Sequence, residues 1–168
     1  MIKTKLLFIS IAFLVSLMGC SNEHQSRLNF EDRGHQVPAF NTDSAYKFIE
    51  RQVSYGPRNP GSEGHQQAVN YLINKLRSYA GNQAVFPQKF TAAGYEGDTL
   101  QMTNVIAAFN TQSSDRIMLC AHWDTRPRAE KDSTDVNKPI LGADDGGSGV
   151  GVLLELARIL EKNPPPIG

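Results

Sequence analysis

His122-Trp123-Asp124 sets an imidazole and a carboxylate two positions apart. On extended backbone such residues point to one side, because side chains alternate along a strand. Asp124 can then accept the proton of one ring nitrogen and leave the other aimed outward, which is how metal-binding histidines are commonly oriented. A hydrogen-bonded histidine closing a strand is the alternative without chemistry. Further along, Gly142-Ala143-Asp144-Asp145-Gly146-Gly147-Ser148-Gly149 brings two adjacent carboxylates into a glycine-rich bend. Carboxylates are hard oxygen donors for a divalent metal, and glycine lets the backbone turn tightly. An aspartate at a helix start can also act purely as a cap and a partner for the dipole. Two neighbouring aspartates carry more negative charge than a cap requires, and a bound cation relieves their repulsion. The same glycines do not make a phosphate loop. They lack G-x-G-x-x-G spacing and any Gly-Lys-Ser/Thr, and the aspartates would repel a pyrophosphate.

The elements that must position these groups follow from periodicity. Ala45, Phe48, Ile49 and Val53 recur at helical spacing, with Thr42 or Ser44 as cap and Gly56-Pro57 as stop. A second helix carries Val69, Leu72, Ile73, Leu76 and Ala80 on one stripe, between a Ser62 cap and Gly81. Residues 84 to 91 alternate weakly and contain Pro87, so they form an edge strand at best. Gly94 to Gly97 turns the chain into a second extended segment from Leu100 to Phe109. Ile117 to Ala121 is continuously apolar, as expected of a strand covered on both faces, and Cys120 within it would pack as a small hydrophobe. His122 then leaves that strand's carboxyl end, where open α/β sheets usually hold ligands. Ser148 opens a third helix with Val150, Leu153, Leu154, Ala157 and Leu160 inward, ended by Pro164-Pro165-Pro166. The order predicts an α/β fold with helices on the faces of a sheet. Because the chain stops after a Pro-rich turn at Gly168, that sheet is expected to be truncated after the third helix.

Composition narrows the classes. The 168 residues include 17 basic and 17 acidic side chains, so no basic footprint speaks for nucleic acid. Lys3 and Lys5 precede an apolar run from Leu6 to Met18, too short to span a bilayer comfortably and ordered like a secretion signal. Leu17-Met18-Gly19-Cys20 resembles the lipobox of bacterial lipoproteins. It implies a signal peptide over 1–19 and an acylated Cys20. Residues 20–40 read as a polar tether, and 41–168 as the domain. Cys120 is the one other cysteine, so no internal disulfide framework accompanies export.

Taken together, Cys120-Ala121-His122-Trp123-Asp124-Thr125-Arg126-Pro127 and Ile140 to Glu155 resemble the clan of zinc aminopeptidases and glutaminyl cyclases, the M28-type fold. Within it the closer likeness is to bacterial glutaminyl-peptide cyclotransferases of the animal type. Val53-Ser54-Tyr55-Gly56-Pro57-Arg58, Gly61-Ser62 and Thr103-Asn104-Val105-Ile106-Ala107 also fit, so the resemblance runs from about residue 42 to Gly168. It implies a mixed, mostly parallel sheet with helices on both faces, a zinc cofactor, and only the N-terminal part of the catalytic domain in this chain.

By that resemblance Asp145 matches the metal-binding aspartate, which bridges two ions in aminopeptidases and holds one zinc in cyclases. His122 matches a zinc ligand of the aminopeptidases that lies off the metal in cyclases. Asp124 matches the carboxylate that orients this histidine, and Asp144 a neighbour that is not a ligand. Gly146 stands where aminopeptidases commonly have Asn. It and Trp123 and Arg126-Pro127 look more like cyclase sequences. An acidic pair, another aspartate and a distal histidine of the family would lie beyond Gly168, so the 168-residue chain alone is expected to be inactive.

The implied reaction is conversion of an N-terminal glutamine of peptides or proteins to pyroglutamate with release of ammonia. The alternatives are M28-type aminopeptidase action and, in another class, a non-catalytic envelope lipoprotein that retains the fold. The implied partners are a glutamine-initiated N-terminus and a membrane reached through the Cys20 lipid. The implied location is the outer membrane, facing the periplasm.

Overall fold

A computed structural model describes residues 37–94 and 96–168. The leader, Cys20 and most of the tether lie outside the described residues. Helix α1 (Thr42–Val53) is capped by Asn41, whose side-chain oxygen accepts the Ser44 amide at 2.9 Å. The cap thus falls one residue before the predicted Thr42. Helix α2 (Glu63–Ala80) starts as predicted at Ser62, whose hydroxyl accepts the His65 amide at 3.1 Å, and stops at Gly81 with φ of +86°. Strands β1 (Val85–Ala93) and β2 (Thr99–Ala107) form an antiparallel hairpin with Val85 opposite Ala107 and Phe90 opposite Met102. Pro87 is accommodated because a two-stranded sheet leaves one side of each strand free of ladder bonds. Helix α3 (Gly149–Lys162) follows the aspartate bend.

Phe48 of α1, Leu72 of α2, and Val150 and Leu154 of α3 make the core, with Val105, Ala121 and Trp123 packed against it. Leu154 is 1% exposed, and its burial alone is worth about 2 kcal/mol. Beside the core, the Glu155 carboxylate is buried on α3. It accepts both guanidinium arms of Arg158 and the Asn41 amide, which ties the start of α1 to α3. The Arg158 bonds, more than the amide, hold its pKa down at about 2.

The expectations for the segment Ile117 to Ala121 are corrected. Ile117 to Ala121 is not a covered strand: Ile117, Met118 and Leu119 are 65%, 85% and 60% exposed. A strand needs a ladder, and here the backbone near Ile117 meets Gly168 alone, with the Ile117 amide donating to Gly168 and the Gly168 amide to Asp115. Cys120 is a free, exposed thiol and does not pack in the interior. No parallel ladder is present among the described residues, where the hairpin is antiparallel. Ala121 does reach the core, and this fixes where His122 emerges.

Candidate metal centre

Two bends bring the sequence-derived residues together. In the first, Trp123 turns inward. Its indole stacks on His65 at 4.4 Å between centroids, and its Nε1 donates to the Thr103 carbonyl at 3.0 Å. With Trp123 held in the core, its neighbours His122 and Asp124 face the other way. The His65 ring is itself buried, which pushes its pKa down, with a smaller opposing effect from the Asp124 charge.

In the second bend Gly142 adopts φ of +59° and Gly146 φ of +89°, conformations that favour glycine. Asp145 sits between them on extended backbone, with φ −73° and ψ 97°, so its side chain leaves the line of α3. The helix start has no side-chain cap, and the hydroxyl of Ser148 donates to the Asp144 carbonyl. Neither aspartate is therefore spent as a cap, which removes the plain structural explanation for the pair.

His122 Nε2 lies 3.0 Å from Asp145 Oδ1. The other ring nitrogen, Nδ1, faces the Asp124 backbone oxygen at 3.2 Å and the Asp124 carboxylate at 3.7 Å. Asp124 thus stands on the inner side of the ring while Nε2 points at Asp145. Arg126, not assigned a role from its residue type, places Nη2 at 3.6 Å from Asp145 Oδ2 and pairs also with Glu130. Asp144 is exposed beside this group without entering it.

An imidazole nitrogen and a carboxylate oxygen that meet where both side chains are half exposed are donor types that zinc takes. The described residues contain no group of three or more His, Cys, Asp or Glu able to hold a metal.

The buried residues that support the two bends were not assigned a role from the sequence. Gln52 is buried and donates from Nε2 to the Gly147 carbonyl at 3.1 Å, supporting the aspartate bend from α1. Arg58 is buried too. Its Nε donates to Trp123 O, its Nη1 to Leu141 O and its Nη2 to Gly142 O, each at 2.8 Å. Its amide donates to Thr125 Oγ1, also at 2.8 Å. Burial pushes the Arg58 guanidinium pKa down, and the Asp124 charge partly opposes this.

This arrangement of helices and hairpin resembles the zinc-exopeptidase and glutaminyl-cyclase fold. Residues 104–167 match the model of peptidase family M28, a stretch that includes His122, Asp124 and Asp145. The solved glutaminyl cyclase of Tannerella forsythia is 46% identical, with a TM-score of 0.74 over 77% of this chain and 45% of that one. A Zn-dependent exopeptidase from Parabacteroides distasonis is 41% identical, with a TM-score of 0.74 over 79% of this chain and 45% of that one. A bovine glutaminyl-peptide cyclotransferase-like protein is 30% identical over 105 residues, covering 62% of this chain and 26% of its own length. The chain therefore spans less than half of these relatives. The M28-type resemblance and the fold class read from the sequence both hold.

Proposed function

We propose that the protein is a zinc-dependent glutaminyl-peptide cyclotransferase, converting N-terminal glutamine to pyroglutamate with loss of ammonia. The carrying observation is the engagement of Asp145: Oδ1 faces His122 and Oδ2 faces the Arg126 guanidinium. A carboxylate that bridges two metal ions commonly gives one oxygen to each, and the Arg126 guanidinium 3.6 Å from Oδ2 favours a single ion. The likeness to the Tannerella forsythia glutaminyl cyclase supports the same reading. When bound, zinc supplies Lewis acidity toward a carbonyl oxygen. Asp145 would hold it, Asp124 would orient the His122 ring, and His122 would face Asp145 through Nε2 beside the metal. The reaction is an intramolecular attack of the α-amine on the side-chain amide, so the protein's main task is to hold that side chain folded back.

Aminopeptidase action is the rival, supported by the likeness to the Zn-dependent exopeptidase. Metal analysis of His122→Ala in the full-length protein separates the two. With one zinc held through Asp145, the variant should keep its full zinc content. Complete loss of zinc from His122→Ala would favour a two-metal peptidase site.

We also propose that Cys20 is acylated and holds the protein at a bacterial envelope, in the outer membrane facing the periplasm. Lys3 and Lys5, the apolar run to Met18 and Gly19-Cys20 support this. Mass spectrometry should find a mature N-terminus beginning at a lipid-modified Cys20. An intact residue 1–19 segment would refute the anchor.

A further inference from the structure

Arg58 is 0% exposed, yet no ion pair to it exists among the described residues. Burying a cation without a carboxylate is costly, and such a group persists where its nitrogens find other acceptors. Here the acceptors are backbone carbonyls, and they come from three separate parts of the chain. Nη1 reaches Gln52 O at the end of α1, at 3.4 Å, as well as Leu141 O. Nη2 reaches Gly142 O, at the entrance of the aspartate bend. Nε reaches Trp123 O, directly after His122. The backbone of Arg58 closes the same junction, since its amide donates to Thr125 Oγ1 and its carbonyl accepts the Thr125 amide at 3.4 Å.

The planar fork therefore clamps the segment bearing His122 to the bend bearing Asp145. Three bonds of 2.8 Å leave from three nitrogens of one rigid group, so the separation of the two segments is set by the width of a guanidinium. Gly142 fits against this plane closely enough that a Cβ there would lie 3.1 Å from Arg58 Nη2. We propose that Arg58 is a positioning residue that sets how the Asp145 bend sits against the His122 segment and, through the placement of Asp145, the affinity for zinc. This rests on the zinc reading above. Arg58 touches neither the His122 nor the Asp145 side chain, and acts on them through the carbonyls of Trp123 and of Leu141 and Gly142.

Lysine keeps the charge but offers its donors from a single point, so it cannot reach carbonyls on opposite edges of the guanidinium plane. The test is zinc affinity by chelator competition on the full-length protein, below the onset of unfolding and scaled to the folded fraction. Arg58→Lys should weaken zinc binding about 10- to 100-fold, the range found when an outer partner of a metal ligand is lost. Leu154→Ala, a core substitution that removes no bond of the Arg58 clamp, serves as a control for lost stability and should leave the affinity per folded molecule unchanged. Thr125→Val removes the hydroxyl that accepts the Arg58 amide and should weaken zinc in the same direction by a smaller factor. It carries the test if Arg58→Lys does not fold. Unchanged affinity in the folded variants, or an equal loss in Leu154→Ala, overturns the proposal. Should the wild type bind no zinc, the functional reading fails, and crystal structures of the same variants still decide this inference. The His122 Nε2 to Asp145 Oδ1 distance must then open beyond hydrogen-bond reach, and a distance unchanged from 3.0 Å refutes it.

Discussion

Replacing Asp145 by alanine should strip the full-length protein of zinc and of turnover together. The lost group is the carboxylate that faces His122 Nε2, so the fall in metal affinity should exceed the roughly 100-fold typical of an outer partner. Folding should be little affected. The Asp145 side chain is 52% exposed and caps no helix, and substitutions at such positions usually change stability by no more than about 0.5 kcal/mol. Metal content by mass spectrometry and a thermal melt on the same sample check both halves. Stoichiometric zinc in Asp145→Ala would remove this residue from the metal shell.

Gly146→Ala should damage both stability and site. A side chain at φ of +89° is strained, and its Cβ would lie 2.9 Å from the His122 backbone oxygen and 2.9 Å from His122 Cε1. The backbone oxygen cannot swing aside as a side chain can. Strain and overpacking together should cost about 3 kcal/mol, readable as a lower denaturation midpoint at unchanged slope. Zinc affinity should fall as the bend that carries Asp145 is displaced from the His122 backbone. A variant as stable as the wild type would show that the bend relaxes freely.

Some of this was legible because the signals are local. Ser62 and Gly81 bound α2 through interactions within one turn, and Gly94 and Gly97 flank the hairpin turn that Pro87 did not prevent. The cap of α1 was misplaced by one residue because Asn41, Thr42 and Ser44 are all competent and only backbone geometry selects among them. Ile117 to Leu119 read as a covered strand because apolar character records what a segment is suited to, while a ladder depends on which backbone lies beside it. His122, Asp124 and Asp145 stood out by residue type and spacing. Arg58 did not, since its partners are carbonyls as far away in sequence as Gly142, and a carbonyl leaves no mark on residue identity. Arg126 lacked a signal for a similar reason: its bond to Asp145 exists only because the two bends meet.

The central claim is the reaction, and the products from a glutamine-initiated peptide test it most directly. Incubated with the full-length zinc-loaded protein, such a peptide should release ammonia and lose about 17 Da without freeing an amino acid, because ring closure expels only the amide nitrogen. A leucine-initiated peptide should be returned unchanged. Free N-terminal glutamine or leucine in the products would contradict the cyclase reading and identify the protein as an exopeptidase.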